Sequence, residues 1–300
     1  MTAPPDMSTG RLPIEQPLDL AASLHSGQAH RWTRDSDAGG DGNGPWHWGV
    51  IHGRLIKIRP NGPGELEFRA SPSTAPDEMT SILESYFRLD DDIQSILQEV
   101  AGDPQVATMV DRHRGLRLLR IDPWECLISF ICSANSNIPR IHSNMESMAG
   151  NLGGPLSLDG EVRYLFPTPQ RLAEAGEGAL RSLGLGFRAP YVAKTARIVA
   201  DGHLDLESLR NMPYLGAKAC LEDLPGVGPK IADCVLLHSL DKLEAFPIDV
   251  WVRRALAEWY FPGQKPPPNR VMLEWALEHF GPYAGYAELY LFHGRRLEKK

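Results

Sequence analysis

The sequence predicts an α+β fold, in which a small antiparallel sheet is followed by a helical region. Between residues 46 and 68, hydrophobic residues alternate with polar ones, as they do in strands that bury one face. From residue 79 onward, hydrophobic residues recur instead at the spacing of a helix. The 300 residues, 42% of them hydrophobic and 23% charged, are enough to bury a core for one large domain or two smaller ones.

The first third of the chain contains the predicted sheet. Residues 1–16 are rich in proline and show no pattern, so they are predicted to be disordered. Residues 35–45 form a flexible connection rich in Gly and Asp. We therefore predict a sheet domain over residues 17–120 and a helical domain over residues 121–300. The predicted strands cover residues 46–50, 55–58 and 66–68.

Helices dominate the rest of the chain, and the second domain is expected to be all-helical. Capping residues followed by proline, at Asp122-Pro123 and Thr168-Pro169, are typical of helix starts. Glycines and prolines separate the later helices. Helices are predicted at about 79–87, 93–100, 190–201, 205–211, 214–221, 229–240, 250–260, 269–280 and 283–293.

The net charge is −7, which at first argues against a nucleic-acid partner, because phosphate contacts need Lys and Arg. The imbalance lies in residues 1–100, which carry 8 basic and 15 acidic side chains, whereas residues 101–300 carry 23 of each. A local basic face therefore stays open, although solvated surface is the commoner arrangement for such runs. The basic clusters are Arg112, Arg114, Arg117 and Arg120, and Arg295, Arg296, Lys299 and Lys300.

Composition also bears on location and redox state. No run approaches the ~20 apolar residues of a membrane span, and the opening residues have neither the basic region nor the apolar core of a signal peptide. We therefore expect a soluble, intracellular protein without a membrane partner. The four cysteines fit neither a disulfide framework nor a zinc site and are expected to be reduced thiols. They are Cys126, Cys132, Cys220 and Cys234.

The most informative segment runs from Leu224 to Cys234 and reads L-P-G-V-G-P-K-I-A-D-C. Its two glycines, placed between two predicted helices, allow a tight hairpin whose backbone N–H groups can meet a phosphate. This is the helix-hairpin-helix pattern of DNA binders, and the alternative is a Gly-rich turn between helices. The residues expected at the phosphate are Gly226, Val227, Gly228 and Lys230.

Lys230 opens the second helix of this motif, where the helix dipole and partial burial disfavour the ammonium form. A lysine so placed can act as a neutral nucleophile. Asp249 follows nineteen residues later, directly before another predicted helix. Taken alone, Asp249 is more readily explained as a helix cap. Its pairing with Lys230 favours a catalytic role.

Blocks at 18–32, 117–127, 129–141, 183–189 and 281–287 surround this motif in order. With the hairpin, they resemble the helix-hairpin-helix (HhH-GPD) DNA glycosylase superfamily, and within it the 8-oxoguanine DNA glycosylase/AP lyases. The resemblance runs from about residue 17 to residue 293. It implies a TBP-like sheet domain, an HhH-GPD helical domain, a monomer, and double-stranded DNA containing oxidised guanine as the partner.

The resemblance also implies how the enzyme would handle a duplex. An enzyme that acts on a base must extrude it and fill the gap. In the family, an Asn and two Arg fill the gap and read the opposite cytosine, which points here to Asn135, Arg140 and Arg188. Phe187 stands where the family often has a wedging Tyr. The competing interpretations are a helix cap for Asn135 and a surface charge for Arg188.

Recognition of 8-oxoguanine requires an acceptor for the proton on N7, which guanine lacks. The family uses a main-chain carbonyl that matches Gly27, since a carbonyl cannot donate to guanine. It sandwiches the base between a Cys and a Phe that match Cys234 and Phe292. The alternative for Gly27 is a turn residue, and the alternative for Cys234 and Phe292 is packing in the hydrophobic core.

The resemblance further implies the reaction. Lys230 attacks C1′ as the base leaves, while Asp249 stabilises positive charge on the sugar. The product is a Schiff base, which acidifies the C2′ protons and allows β-elimination. The presence of Lys230 therefore predicts lyase activity.

Three positions depart from the family pattern. Glu288 stands where the animal enzymes place a Gln against the Watson–Crick edge of the lesion, and a carboxylate can accept both donors of that edge. Trp251 replaces a His beside the catalytic Asp, and Arg295 replaces the acidic partner of that His. The double change suggests a divergent or microbial branch.

No cofactor is expected. Some relatives carry an iron–sulfur cluster on four cysteines after the helical domain, but no Cys follows Cys234. The superfamily can hold a structural ion on hairpin carbonyls, here those of Leu224 and Val227, and the sequence leaves that open. Two other functions also stay open: a glycosylase for a different damaged base, and a non-catalytic DNA-binding module.

Overall fold

The computed structural model describes residues 7–36, 43–263 and 265–298. It confirms the predicted fold class: an antiparallel sheet of five strands precedes a region of helices. The strands lie in the order β1-β5-β4-β3-β2, and every neighbouring pair is antiparallel. They are β1 (Ser8–Pro13), β2 (Thr33–Arg34), β3 (His47–Ile51), β4 (Arg54–Pro60) and β5 (Glu65–Ser71).

The prediction that residues 1–16 are disordered is wrong for the part that the structure describes. Residues 8–13 form strand β1, which pairs with β5 from Ser8 opposite Ala70 to Pro13 opposite Glu65. Local sequence gives little sign of this edge strand, because its partner lies about sixty residues away. Residues 1–6 fall outside the described residues.

The helices agree with the capping pattern. Asp122 caps α5 by accepting from the Glu125 N–H at 2.9 Å, and Thr168 caps α7. The helices are α1 (Leu20–His25), α2 (Pro76–Tyr86), α3 (Ile93–Val100), α4 (Pro104–Arg112), α5 (Pro123–Cys132), α6 (Ile138–Leu152), α7 (Pro169–Leu180), α8 (Ala189–Ala200), α9 (Tyr214–Glu222), α10 (Pro229–Ser239), α11 (Val250–Trp259), α12 (Asn269–Phe280) and α13 (Ala284–Leu297).

One hairpin interrupts the region that was expected to be all-helical. Strands β6 (Pro155–Leu158) and β7 (Glu161–Tyr164) pair with each other and contact the N-terminal sheet. Asp159, in the turn between them, lies 2.5 Å from the Lys57 amine and 3.0 Å from the Arg69 guanidinium. The hairpin is therefore held by a long-range ion-pair cluster, which a search for local strand patterns does not reveal.

One hydrophobic core joins the sheet and the helices. The C-terminal helix α13 enters it, where the Tyr290 hydroxyl donates to the Leu116 carbonyl at 3.0 Å and the Tyr286 hydroxyl to Asp91 at 2.6 Å. The domain boundary near residue 120 stays a prediction. Helix α13 is nevertheless fixed against the first region, and it brings the C-terminal part of the chain beside α1.

The first basic cluster does not form a basic face. Arg117 is fully buried, and its guanidinium donates to the carbonyls of Phe87 and Arg88. Arg120 is paired with Asp90 and with Asp241. These two side chains hold the core together, whereas Lys299 and Lys300 of the second cluster lie outside the described residues.

Candidate active site and DNA-binding hairpin

A cleft of about 860 Å³ lies where α5, α6, α10, α11 and α13 approach the loop after α1. It brings together residues that are up to 269 positions apart in the sequence, from Gly27 to Arg296, and they include both proposed catalytic residues and all four proposed lesion-binding residues. The predicted site residues that line it are Gly27, Asn135, Gly228, Lys230, Cys234, Asp249, Glu288 and Phe292.

Lys230 is the second residue of α10, and its side chain is partly exposed to the cleft. Its amine donates to the Ser133 hydroxyl at 3.3 Å and lies 5.0 Å from the centre of the Phe130 ring. The amine thus lies beside the Phe130 ring at the edge of the cleft, and a long hydrogen bond to Ser133 holds it there. That arrangement leaves it able to reach a sugar placed in the cleft.

Asp249 serves as a cap and also faces the cleft. Its Oδ1 accepts from the backbone N–H groups of Trp251 at 2.7 Å and Val252 at 2.8 Å. Both bonds use the same oxygen, so Oδ2 stays outside the cap. Burial raises the pKa of Asp249, while the two N–H groups and the Lys230 charge oppose that shift. The cap explanation and the catalytic one are therefore compatible.

Two buried histidines beside Lys230 were not singled out from the sequence. The Phe130 ring stacks on His238 with centroids 5.5 Å apart and meets His30 edge-on at 5.7 Å. Burial, reinforced by the Lys230 charge, lowers the pKa of both histidines to about 3. These neutral rings line the cleft around the amine without adding charge. The sequence gives little indication of them: His30 and the Phe130 ring between the two histidines lie in the blocks that resemble the glycosylase family, and His238 does not.

Gly27 lies where the surrounding atoms leave no room for a Cβ atom. Its φ is +106°, and a Cβ there would lie 2.8 Å from Ile138 Cδ1 and 3.1 Å from Arg296 Nη1. Glycine is the residue that adopts this conformation without steric cost. The main chain of Gly27 therefore borders the cleft directly, as recognition by a carbonyl requires.

Glu288 and Cys234 are buried at the base of the cleft. Burial and the nearby Asp249 raise the pKa of Glu288 well above its usual range, which favours its neutral acid form. Burial also raises the pKa of Cys234 to about 12. A neutral acid offers one donor and one acceptor, like the amide of glutamine, whereas the carboxylate expected from the sequence would accept both donors of the lesion.

The residues predicted to fill the gap lie around the loop between α5 and α6. Asn135 is exposed at φ +48°, and Asn137, not Asn135, caps α6. The explanation of Asn135 as a cap is therefore wrong. Arg188 is 1% exposed and donates to the carbonyls of Ala134 and Asn135, the latter at 2.9 Å. The explanation of Arg188 as a surface charge is also wrong, since Arg188 supports the Asn135 loop from inside.

Arg140 and Phe187 lie near this loop but do not line the cleft. Arg140 is exposed in the first turn of α6. The Phe187 ring is 49% exposed and stacks on the Arg188 guanidinium at 4.4 Å. An apolar ring held in this way next to an exposed Asn suits insertion into a base stack.

The hairpin has the geometry predicted for it. Gly226 has a φ of +81°, and a Cβ there would lie 2.6 Å from the Tyr191 ring. The Val227 N–H donates to the Leu224 carbonyl at 3.1 Å and closes the turn. Gly228 is the N-cap residue of helix α10 and provides no side-chain cap. The first N–H groups of α10 are thus left for an outside acceptor, while an ion at the Leu224 and Val227 carbonyls stays a prediction.

A buried ion pair fixes the two helices of the motif. Asp233 on α10 accepts from the Tyr214 hydroxyl and from the Lys218 amine of α9, each at 2.7 Å. Burial raises the pKa of Asp233 to about 6 even though Lys218 opposes the shift. Removing one partner of such a pair is costly. The pair therefore holds the angle between α9 and α10 and, with it, the hairpin.

Trp251 and Arg295, two of the positions that depart from the family pattern, differ in whether they line the cleft. Trp251 lines the cleft and packs under the Arg254 guanidinium at 5.2 Å. Arg295 points away and pairs with Glu258 of α11 and with Glu298. The cation that reaches the cleft is its neighbour Arg296, which the sequence analysis noted only as part of a basic cluster.

Three further observations concern ligands and partners. Within the described residues, no group of three or more His, Cys, Asp or Glu side chains is arranged to hold a metal ion. The four cysteines are free thiols. No helix among the described residues is long and apolar enough to cross a membrane.

A lysine and a half-buried carboxylate share a cleft beside a helix-hairpin-helix, which is the arrangement expected of a DNA glycosylase with a lysine nucleophile. Two family models agree. Residues 11–127 match the N-terminal domain of 8-oxoguanine DNA glycosylase, and residues 128–277 match the HhH-GPD superfamily of base excision DNA repair proteins. The chain belongs to the 8-oxoguanine DNA glycosylase family within that superfamily.

Named relatives support this assignment. A probable N-glycosylase/DNA lyase of Methanothermobacter thermautotrophicus is 36% identical over 80% of this chain and 82% of its own length. The N-glycosylase/DNA lyase of Saccharomyces cerevisiae is 32% identical over 94% and 85%. The 8-oxoguanine glycosylase/lyase of Clostridium acetobutylicum, bound to DNA with cytosine opposite 8-oxoguanine, superposes with a TM-score of 0.87 at 29% identity over 98% and 100%.

Proposed function

We propose that the protein excises 8-oxoguanine paired with cytosine and then cleaves the strand, with formamidopyrimidine-guanine as a second candidate substrate. The observation that carries this proposal is the common cleft of Lys230, Asp249 and Gly27. The cleft is thus bordered by an amine that can act as a nucleophile, by a carboxylate that can stabilise positive charge, and by the main chain of a glycine. Base excision repair of double-stranded DNA is the process that this chemistry serves.

The first step replaces one bond at the sugar by another. The Lys230 amine attacks C1′, and the base leaves with the electron pair of its glycosidic bond. Positive charge develops on the sugar during this exchange, and the carboxylate of Asp249 stabilises it. Opening of the sugar ring then gives a Schiff base between C1′ and the lysine.

The second step breaks the strand. The imine acidifies the protons on C2′, so one of them can leave, and the electron pair expels the 3′ phosphate. A glycosylase that used water would instead leave an intact abasic site. The amine at the rim of the cleft therefore supports both activities from one side chain.

The surrounding surface supports the handling of DNA. The uncapped start of α10 and the Gly226 hairpin offer N–H groups to a phosphate without regard to sequence. Asn135 and Phe187, both exposed, are placed to fill the gap left by the extruded base. Arg140 is the exposed cation beside them for the opposite cytosine, with Arg188 supporting the loop.

Borohydride trapping tests the proposal directly. The wild-type protein and Lys230→Gln are incubated with a duplex containing one 8-oxoguanine opposite cytosine, and covalent adducts are separated by electrophoresis. We expect an adduct from the wild type and none from Lys230→Gln. Lys194→Gln, at an exposed lysine on α8, is the matched control and should form the adduct.

The two alternatives predict different outcomes. A glycosylase for another lesion would process a 3-methyladenine duplex and leave 8-oxoguanine intact. A non-catalytic DNA-binding module would bind the duplex without forming any adduct. Either result would contradict the proposed function.

A further inference from the structure

Arg296 occupies a position in the cleft that no role assigned above uses. It lies on α13 one turn after Phe292, and its guanidinium carbon is 5.5 Å from the centre of the Phe292 ring. It lines the cleft together with Gly27 and Asp249. Burial lowers the pKa of Arg296, and the Asp249 charge opposes that shift. Helix α13 thus brings a cation to the base-recognition end of the cleft.

The guanidinium of Arg296 also holds the loop that carries Gly27. Its Nη2 donates to the His25 carbonyl at 3.2 Å. His25 ends α1, where backbone carbonyls lack a partner within the helix. Its Nη1 packs against Gly27, 3.1 Å from where a Cβ would be. One side chain thus contacts the loop on both sides of Ser26.

The neighbouring Arg295 shows that this placement is specific. Arg295 is on the same helix turn but pairs with Glu258 and Glu298 outside the cleft. The two arginines are chemically identical and adjacent, yet only Arg296 contacts the Gly27 loop. Arg295 is therefore a matched control for loss of charge and for loss of helix packing.

We propose that Arg296 is a positioning residue for lesion discrimination, which fixes residues 25–27 so that the Gly27 carbonyl faces N7 of the extruded purine. This inference rests on the proposed function. A carbonyl accepts the N7 proton of 8-oxoguanine and repels the bare N7 of guanine only while it is held in place. Without Arg296 the loop can relax, so binding of the lesion weakens and rejection of guanine weakens with it.

The test compares two reactions of the same active site. One is excision of 8-oxoguanine opposite cytosine, and the other is cleavage of a preformed abasic site, which presents no base to the Gly27 loop. Both are measured as single-turnover rates for the wild type, Arg296→Leu, Arg296→Met, Arg296→Lys and Arg295→Leu. Thermal unfolding checks that each variant is folded. The Met variant keeps an unbranched, helix-forming side chain in case the Leu variant does not fold.

We expect the ratio of excision to abasic-site cleavage to fall about tenfold in Arg296→Leu and Arg296→Met, the size of effect that loss of one charged hydrogen bond produces. Arg296→Lys should recover part of the ratio, because its amine can donate to the His25 carbonyl. Arg295→Leu should keep the ratio within about twofold of the wild type, since surface pairs contribute little.

Two outcomes would overturn the inference alone. The first is a folded, neutral Arg296 variant whose ratio matches that of an active wild type. The second is an equal fall in Arg295→Leu, which would show that general loosening of α13 is the cause. A wild type that cleaves the abasic site but leaves 8-oxoguanine intact would overturn the proposed function and this inference together.

Discussion

Two regions form the cleft, and they are built in different ways. The reaction region consists of the first turns of α10 and α11, which carry Lys230 and Asp249. The recognition region consists of the Gly27 loop and α13, which meet only through long-range contacts such as that of Arg296 with His25. Local geometry fixes the first region, through the Asp249 cap of α11 and the glycine hairpin before α10, whereas packing between the two ends of the chain fixes the second. Substitutions in the reaction region should therefore change the rate, and those in the recognition region should change selectivity.

The largest of these effects is expected for Asp249→Asn. The variant removes the negative charge near the sugar but keeps a capping oxygen, since Asn caps helices about as well as Asp. We expect the rate of excision to fall about 10²–10³-fold, as for loss of one charge-stabilising group, with little change in the unfolding temperature. Single-turnover excision and thermal unfolding measure the two effects.

Asp122→Asn is the matched control for Asp249→Asn. Asp122 caps α5 in the same way but does not line the cleft. Its rate of excision should stay near that of the wild type. Because burial raises the pKa of Asp249, the wild type should also lose activity as the pH falls through that raised pKa. Equal rates for both Asn variants, or an acid limb that persists in Asp249→Asn, would contradict a catalytic role for the carboxylate.

In the recognition region, Gly27→Ala should have the largest effect. The added Cβ meets Ile138 and Arg296 in a left-handed conformation, so the loop must shift. Displacement by about 1 Å can cost as much as 10²-fold in rate, and we expect a loss of about that size for 8-oxoguanine. Cleavage of an abasic site should fall much less. A uniform loss on both substrates would show that the substitution damages the fold and not recognition.

Sequence alone predicted the local features of the molecule better than its long-range contacts, for physical reasons. Caps such as Asp122 depend on neighbours within three residues, and the structure confirms them. The hairpin glycines likewise act locally. In contrast, strand β1 depends on a partner near Ala70, and Arg296 depends on His25, 271 positions away. For Arg188 the sequence left open a surface charge, because nothing in the sequence indicates the distant backbone carbonyls to which its guanidinium donates.

A smaller effect is expected at the hairpin, for which we propose a role in binding DNA that serves both regions. In Gly226→Ala the Cβ would collide with the Tyr191 ring at a φ of +81°. We expect affinity for duplex DNA to fall about tenfold, and equally for damaged and undamaged duplexes, since phosphate contacts carry no sequence information. Fluorescence anisotropy at low salt measures this. Gly178→Ala, where a Cβ meets open space, is the control, and a loss confined to the damaged duplex would contradict a general role in DNA binding.

The smallest change at neutral pH is expected for Glu288→Gln, which separates charge from shape in the recognition region. Burial raises the pKa of Glu288 and so favours its neutral form, of which the amide is a close mimic, and affinity for an 8-oxoguanine duplex should change by only about threefold. The difference should appear as the pH rises. The lesion presents two donors, so binding favours the Glu288 carboxylate and releases its proton. By linkage, wild-type affinity should then increase by up to about tenfold per pH unit below the raised pKa, whereas Glu288→Gln should give a flat profile. Binding is measured in the Lys230→Gln background to prevent turnover, and parallel profiles would show that Glu288 keeps its proton when the lesion is bound.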